Sequence, residues 1–85
     1  MNDITVYTTP FCGYCRAAKR LLGKKGAAFT EIDLFSAPEK RAEMVRRSDG
    51  ERTVPQIFIG EFHVGGFDEL FDLEQDGKLD PLLAG

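Results

Sequence analysis

Residues 55–64, Pro-Gln-Ile-Phe-Ile-Gly-Glu-Phe-His-Val, decide the fold. Gln56-Ile57-Phe58-Ile59 is a short apolar run suited to a buried central strand, and Phe62-His63-Val64 alternates as a half-buried strand does. Only Gly60-Glu61 separates them, so the chain reverses in a two-residue hairpin and the strands pair antiparallel. Toward the N-terminus, Ile4-Thr5-Val6-Tyr7-Thr8 alternates, is rich in β-branched residues and reads as a strand ending before Pro10. Tyr14, Ala18, Leu21 and Leu22 then recur at helical spacing, and Gly23 and Gly26 bracket the end of that helix. Ala27 to Asp33, with Phe29, Thr30 and Ile32, reads as a second strand. Ser36-Ala37-Pro38-Glu39 combines an N-cap serine, a first-turn proline and a glutamate three residues on, a capping box predicted to open a helix through Arg47. Toward the C-terminus, Phe67, Leu70 and Phe71 follow Gly65-Gly66 at helical spacing, with a stop near Gly77 and one short helical turn around Pro81-Leu82-Leu83. The order is β-α-β-α-β-β-α. An opening βαβ unit needs a parallel crossover and the hairpin an antiparallel pair, so the expected architecture is α/β, a four-stranded mixed sheet flanked by helices.

Eighty-five residues admit a single domain, 1–85, whose thin core leaves no room for a large ligand cavity. The 42% hydrophobic and 29% charged fractions are those of an ordinary globular chain. The apolar runs are far shorter than the ~20 residues that cross a bilayer. Met1 leads directly into alternating residues without a signal-peptide core, so a cytoplasmic protein without membrane partners is expected. With 11 Lys+Arg against 14 Asp+Glu the chain lacks the basic footprint of a nucleic-acid binder. The charge is unevenly placed: Arg16, Lys19, Arg20, Lys24 and Lys25 fall in an acid-free stretch, whereas Glu61 to Asp80 carries seven acids and the single Lys78. Two solvated helix faces account for most of these charges.

Both cysteines sit in Cys12-Gly13-Tyr14-Cys15, at the junction of the first strand and first helix. Haem attachment needs a histidine after the second cysteine, where Arg16 stands. Zinc needs four ligands, and His63, about fifty residues away, is the one histidine and reads as an ordinary strand residue. A structural bridge over so short a loop removes only about 2 kcal/mol of unfolded-state entropy. A redox dithiol has a mechanism. Cys12, at the helix N-terminus, faces unpaired N–H groups and the positive dipole end, which favour its thiolate. Cys15, one turn inside the same helix, is more covered and able to reach the first sulfur, so Cys12 attacks and Cys15 resolves.

Two further features stand beside this pair. Arg52-Thr53-Val54-Pro55 precedes the most apolar strand; Pro55 either begins an edge strand in the trans form or follows a cis bond that turns the Val54 backbone outward to pair with an extended thiol peptide. Gly65-Gly66-Phe67-Asp68 opens a helix; Asp68 is either a plain first-turn acid or part of a site where helix N–H groups hold a carboxylate and Asp68 accepts from an ammonium.

Taken together, Tyr7-Thr8-x-x-x-Cys12-x-Tyr14-Cys15, Thr53-Val54-Pro55-Gln56-Ile57-Phe58-Ile59 and Gly65-Gly66-x-Asp68 resemble the glutaredoxins, from about Ile4 to Leu83. The resemblance implies a thioredoxin-like fold, a cis peptide before Pro55 and glutathione as reducing co-substrate. It also implies a glutathione-dependent thiol-disulfide oxidoreductase acting on protein disulfides and glutathionylated proteins as a monomer, with Cys12 as nucleophile. By the same carry-over Tyr14, Thr53, Val54 and Pro55 line the glutathione groove, and Gly66, Phe67 and Asp68 hold its γ-glutamyl end. Two positions depart from the family pattern. Thr9 stands where a Lys or Arg is common, leaving Arg41 or Arg52 for the glycine carboxylate, and Gly13 stands where Pro is usual. The resting enzyme is expected to hold no metal, but Gly13 raises an alternative seen among such relatives: a dimer carrying a [2Fe–2S] cluster on Cys12 of each subunit and two glutathione thiols.

Overall fold

In the computed structural model, which describes residues 2–85, the chain runs β1 (Ile4–Thr8), α1 (Gly13–Lys24), β2 (Thr30–Asp33), α2 (Lys40–Arg47), β3 (Gln56–Ile59), β4 (Phe62–Gly65), α3 (Phe67–Gln75) and α4 (Leu79–Ala84). Met1, at the start of the expected 1–85 domain, lies outside the described residues. The sheet order is β2-β1-β3-β4, with β1 parallel to β2 and antiparallel to β3, and β3 antiparallel to β4. This is the mixed sheet that the βαβ opening and the hairpin require. Ile57 pairs with Gly65 while Phe58 pairs with His63, so Val64 is the extra residue of a bulge.

Strand alternation sorts the core onto two faces. Ile4, Val6, Ile57 and Ile59 pack with Ala18 and Leu22 of α1, Leu70 of α3, and Leu79 and Leu83 of α4. Tyr7 and Phe58 point to the other face and meet Leu34 and Met44, the latter on α2. The polar ends of β1 are satisfied there rather than left dry. Tyr7 Oη donates to Glu43 Oε2 at 2.5 Å and accepts from Arg47 Nη1 at 2.9 Å; Thr8 Oγ1 donates to Glu31 Oε2 at 2.7 Å, which Lys19 Nζ also reaches at 2.9 Å. The basic and acidic stretches of the sequence meet once: Lys25 Nζ lies 2.7 Å from Glu74 and 3.0 Å from Asp80, tying the end of α1 to α3 and α4. Among the described residues no helix is long and apolar enough to cross a membrane.

Three boundaries differ from the sequence reading. α2 begins at Lys40, and the Ser36 capping box does not form. Ser36 Oγ and the Phe35 N–H both turn back to the Asp33 carboxylate, at 3.2 and 2.8 Å, so the serine is spent on a local Asp turn. Pro38 instead sits in tight turns, with Lys40 N–H on Ala37 O and Arg41 N–H on Pro38 O. β2 starts at Thr30 rather than Ala27, because Gly26 at φ 68° and the Ala27 N–H on Leu22 O still belong to the end of α1. α4 is six residues long rather than a single turn at 81–83.

The two glutamates bound to β1 make the fold acid-sensitive. Hydrogen bonds from Thr8 and then Lys19 hold the Glu31 carboxyl below its ordinary value of 4.5, and the Tyr7 hydroxyl does the same for Glu43. A carboxylate with a depressed folded pKa stabilises the fold above its unfolded value and loses that contribution as pH falls through the folded one. Unfolding free energy from urea titrations is therefore expected to drop as the pH goes below 4.5, and Thr8→Val to flatten that drop; an equally steep drop in the variant would contradict the assignment.

Candidate active site

Cys12 caps α1 with its sulfur. Its backbone is extended (φ −117°, ψ 109°), and Sγ accepts the Cys15 N–H at 3.0 Å, the place a serine or aspartate oxygen takes at other helix starts. The donor and the helix dipole both favour negative charge on that sulfur. On its other side the Cys12 thiol reaches the Val54 carbonyl at 3.7 Å, which joins the start of α1 to the loop before β3. Cys12 is half-buried, whereas Cys15 is 1% exposed. Burial first, and then its hydrogen bond to Cys12, push the Cys15 thiol up to about 12. One sulfur is reachable and capped by a donor; its neighbour is buried beneath it.

The loop at Val54 borders an open groove of about 520 Å³. The ligand space thus lies outside the thin core, as a surface groove. It is lined by Tyr14, Thr53, Val54, Pro55, Gly66, Phe67 and Asp68, so these seven expected residues share one surface, with Cys12 touching it through Val54, whereas neither Arg41 nor Arg52, expected for the glycine carboxylate, is in the lining. The Val54–Pro55 bond is cis, and β3 is an interior strand, so Pro55 does not begin an edge strand. Tyr14 lies nearly parallel to Phe67, ring centres 6.4 Å apart, and closes the groove between α1 and α3.

Gly65, the first residue of the Gly65-Gly66-Phe67-Asp68 feature, also lines the groove, and so do Glu51, Gln56, His63, Val64 and Glu69, to which the sequence-based expectations gave no place in the site. Gln56, polar at the head of a buried apolar strand, and Glu69, three residues after Gly66, are the signals the sequence holds for two of them. His63 lies in β4 as expected, but its ring borders the groove instead of serving the strand alone. Glu69 Oε1 accepts the Gly66 N–H at 2.7 Å, which leaves the donors of the next residues of α3 to meet a ligand. Among the described residues the groove lining includes three acids and no Lys or Arg. Arg41 is occupied nearby, its Nη1 donating to the Arg52 carbonyl at 2.8 Å, and so braces the loop that carries Thr53.

Comparison with known proteins gives one answer. The glutaredoxin family model matches residues 4–64. A glutaredoxin of Pseudomonas aeruginosa is 54% identical over 84 residues, covering 99% of both chains, and glutaredoxin 3 of Escherichia coli is 48% identical over 83 residues, covering 98% of this chain and 99% of that one. The solution structure of a glutaredoxin from Brucella melitensis superposes with a TM-score of 0.83 at 58% identity, covering 98% of this chain and 89% of that one. A buckwheat glutaredoxin–glutathione complex does so with a TM-score of 0.87 at 35% identity, covering 98% and 77%. A capped cysteine beside a cis-proline loop, on a sheet and helices that superpose this closely, leaves one assignment: the chain belongs to the glutaredoxin family, the glutathione-dependent disulfide oxidoreductases of thioredoxin-like fold.

Proposed function

We propose that Cys12 is the nucleophile of a Cys-Gly-Tyr-Cys centre that reduces glutathionylated proteins and protein disulfides, with glutathione held in the groove between Val54 and Asp68. The observation that carries this reading is the position of Cys12 Sγ, capped by the Cys15 N–H at 3.0 Å and 3.7 Å from the carbonyl that edges the groove.

On a glutathione mixed disulfide, Cys12 thiolate attacks the glutathione sulfur. A Cys12–glutathione disulfide forms and the substrate sulfur leaves as a thiolate that takes up a proton. A second glutathione thiolate attacks the glutathione sulfur of that disulfide, releasing glutathione disulfide and restoring Cys12. On a protein disulfide Cys12 thiolate attacks one sulfur and the other leaves as a thiolate that takes up a proton; Cys15, once deprotonated, attacks the Cys12 sulfur and displaces the second substrate thiolate, and two glutathiones then reduce the Cys12–Cys15 bond, leaving as glutathione disulfide. The Val54 backbone lies where an extended γ-Glu-Cys-Gly can pair with it, and Tyr14, Thr53 and Pro55 wall that path. At the far end Phe67 and Asp68 supply helix N–H donors for the γ-glutamyl carboxylate and the Asp68 carboxylate for its ammonium. Gly66, its own N–H held by Glu69, supplies close approach instead. Dependence on the glutathione pool suits a reducing compartment such as the cytoplasm.

The alternative, a [2Fe–2S] cluster shared by two chains and two glutathione thiols, would take one thiolate from each chain. With Cys15 covered, Cys12 is the thiol each chain would supply, and no feature of the described residues points to a partner chain. The oxidoreductase reading is the one the geometry carries.

Cys12→Ser is expected to abolish all turnover. Cys15→Ser keeps activity on glutathione mixed disulfides and loses the dithiol reduction of protein disulfides; equal loss in both assays would sink the division of labour. Because Cys15 is buried and that burial pushes its thiol well above the ordinary value, iodoacetamide at pH 8 labels one sulfur per native chain, Cys12, and the second only after denaturation, as mass spectrometry of digests will show. Asp68→Ala removes one charge-assisted hydrogen bond, so the KM for glutathione rises on the order of tenfold while a small thiol lacking the γ-glutamyl group is unaffected. An unchanged preference for glutathione reduces Asp68 to a helix-start acid.

A further inference from the structure

Gln56 and His63 form a pair that the disulfide chemistry does not use. Gln56 is 3% exposed, and its Nε2 donates to the Thr53 carbonyl at 3.0 Å and to Thr53 Oγ1 at 3.3 Å. A carbonyl only accepts, so the amide must turn its NH2 end toward Thr53 and its Oε1 away. His63 Nε2 lies 2.6 Å from that Oε1. An amide oxygen also only accepts, so Nε2 of His63 must carry the hydrogen. The bond network thereby assigns the imidazole its protonated nitrogen. The ring is held in place by Phe58, against which it stacks at 4.8 Å between centres, and Phe58 lies 4.2 Å beneath the Arg47 guanidinium.

We propose that His63 is a positioning residue for glutathione, acting through Gln56 to hold Thr53 at the groove. The inference rests on the assignment of the groove to glutathione. Without the Nε2–H donor, Gln56 Oε1 is buried without a partner, and the amide can relieve this only by rotating. Rotation points Oε1 at the Thr53 carbonyl, where lone pairs face lone pairs. The loop carrying Thr53 and Val54 then loses its tie to β3, and the peptide path along it is no longer preformed. The cost falls on binding of glutathione, since neither His63 nor Gln56 touches Cys12.

Two substitutions separate this role from packing. His63→Gln keeps a donor at about the place of Nε2 and discards the ring; His63→Phe keeps the stack on Phe58 and discards the donor. In steady-state reduction of a glutathione mixed disulfide by the full chain, with glutathione as the varied thiol, His63→Gln is expected to stay within twofold of the unsubstituted KM. His63→Phe raises it about three- to tenfold, the value of one neutral hydrogen bond, with kcat changed less than twofold. Thermal unfolding reports whether each variant folds, and if His63→Phe does not, Gln56→Met removes the same bond from the other side with the same expected rise in KM. A normal KM in His63→Phe, or equal loss in both histidine variants, overturns the proposal because the ring alone would then matter. No preference of the unsubstituted protein for glutathione over 2-mercaptoethanol would overturn the glutathione assignment itself, and this inference with it.

Discussion

The hydrogen bond from the Cys15 N–H to Cys12 Sγ makes one residue serve two purposes, since the sulfur proposed to attack is also the cap that starts α1. A helix must begin somewhere near Gly13 for its first N–H groups to be unpaired, and β1 must end at Thr8 for the chain to bring Cys12 there. The parallel crossover from β1 through α1 to β2 fixes that junction at the C-terminal end of an interior strand. The cis-proline loop then only has to arrive beside it, which β3 ensures by pairing antiparallel to β1, with Gln56 opposite Tyr7.

The proposed dithiol route needs two thiols of different character three positions apart, and the helix supplies the difference. Cys12 lies at the open end, where donors and dipole act on a half-exposed sulfur. Cys15, one turn on, enters the layer between α1 and the sheet, and burial keeps it a thiol. Their offset along one helix is what leaves one sulfur reachable and the other covered.

The element order and the site were largely legible, for separable physical reasons. Strand alternation and the Gly60-Glu61 reversal are local signals, and they located the sheet; the clustering of both cysteines at a strand–helix junction located the chemistry. The start of α2 was not legible, because Ser36 can serve a helix cap or the preceding Asp33, and only the path of the chain after β2 decides. His63 was illegible as a groove residue for a related reason. Its partner Gln56 is seven positions away across a hairpin whose bulge at Val64 sets the register, and neither the bulge nor the inward turn of Gln56 shows in the residue pattern.

Gly13 marks where packing stops deciding sequence. A side chain there would meet only Arg16 Nη2, at 3.9 Å, so no close approach demands a glycine. The position is the first of α1, where a proline would fit because that N–H has no partner within the helix. Proline would hold φ near its helical value and stiffen the turn that carries Cys12; glycine leaves that turn free to move. The cap from the Cys15 N–H and the contact with Val54 therefore carry more of the burden of holding the nucleophile in this chain than they would behind a proline. In the proposed mixed disulfide Cys12 Sγ would have no hydrogen to give the Val54 carbonyl, and a glycine beside it would let the backbone follow any shift of the sulfur away from that loop.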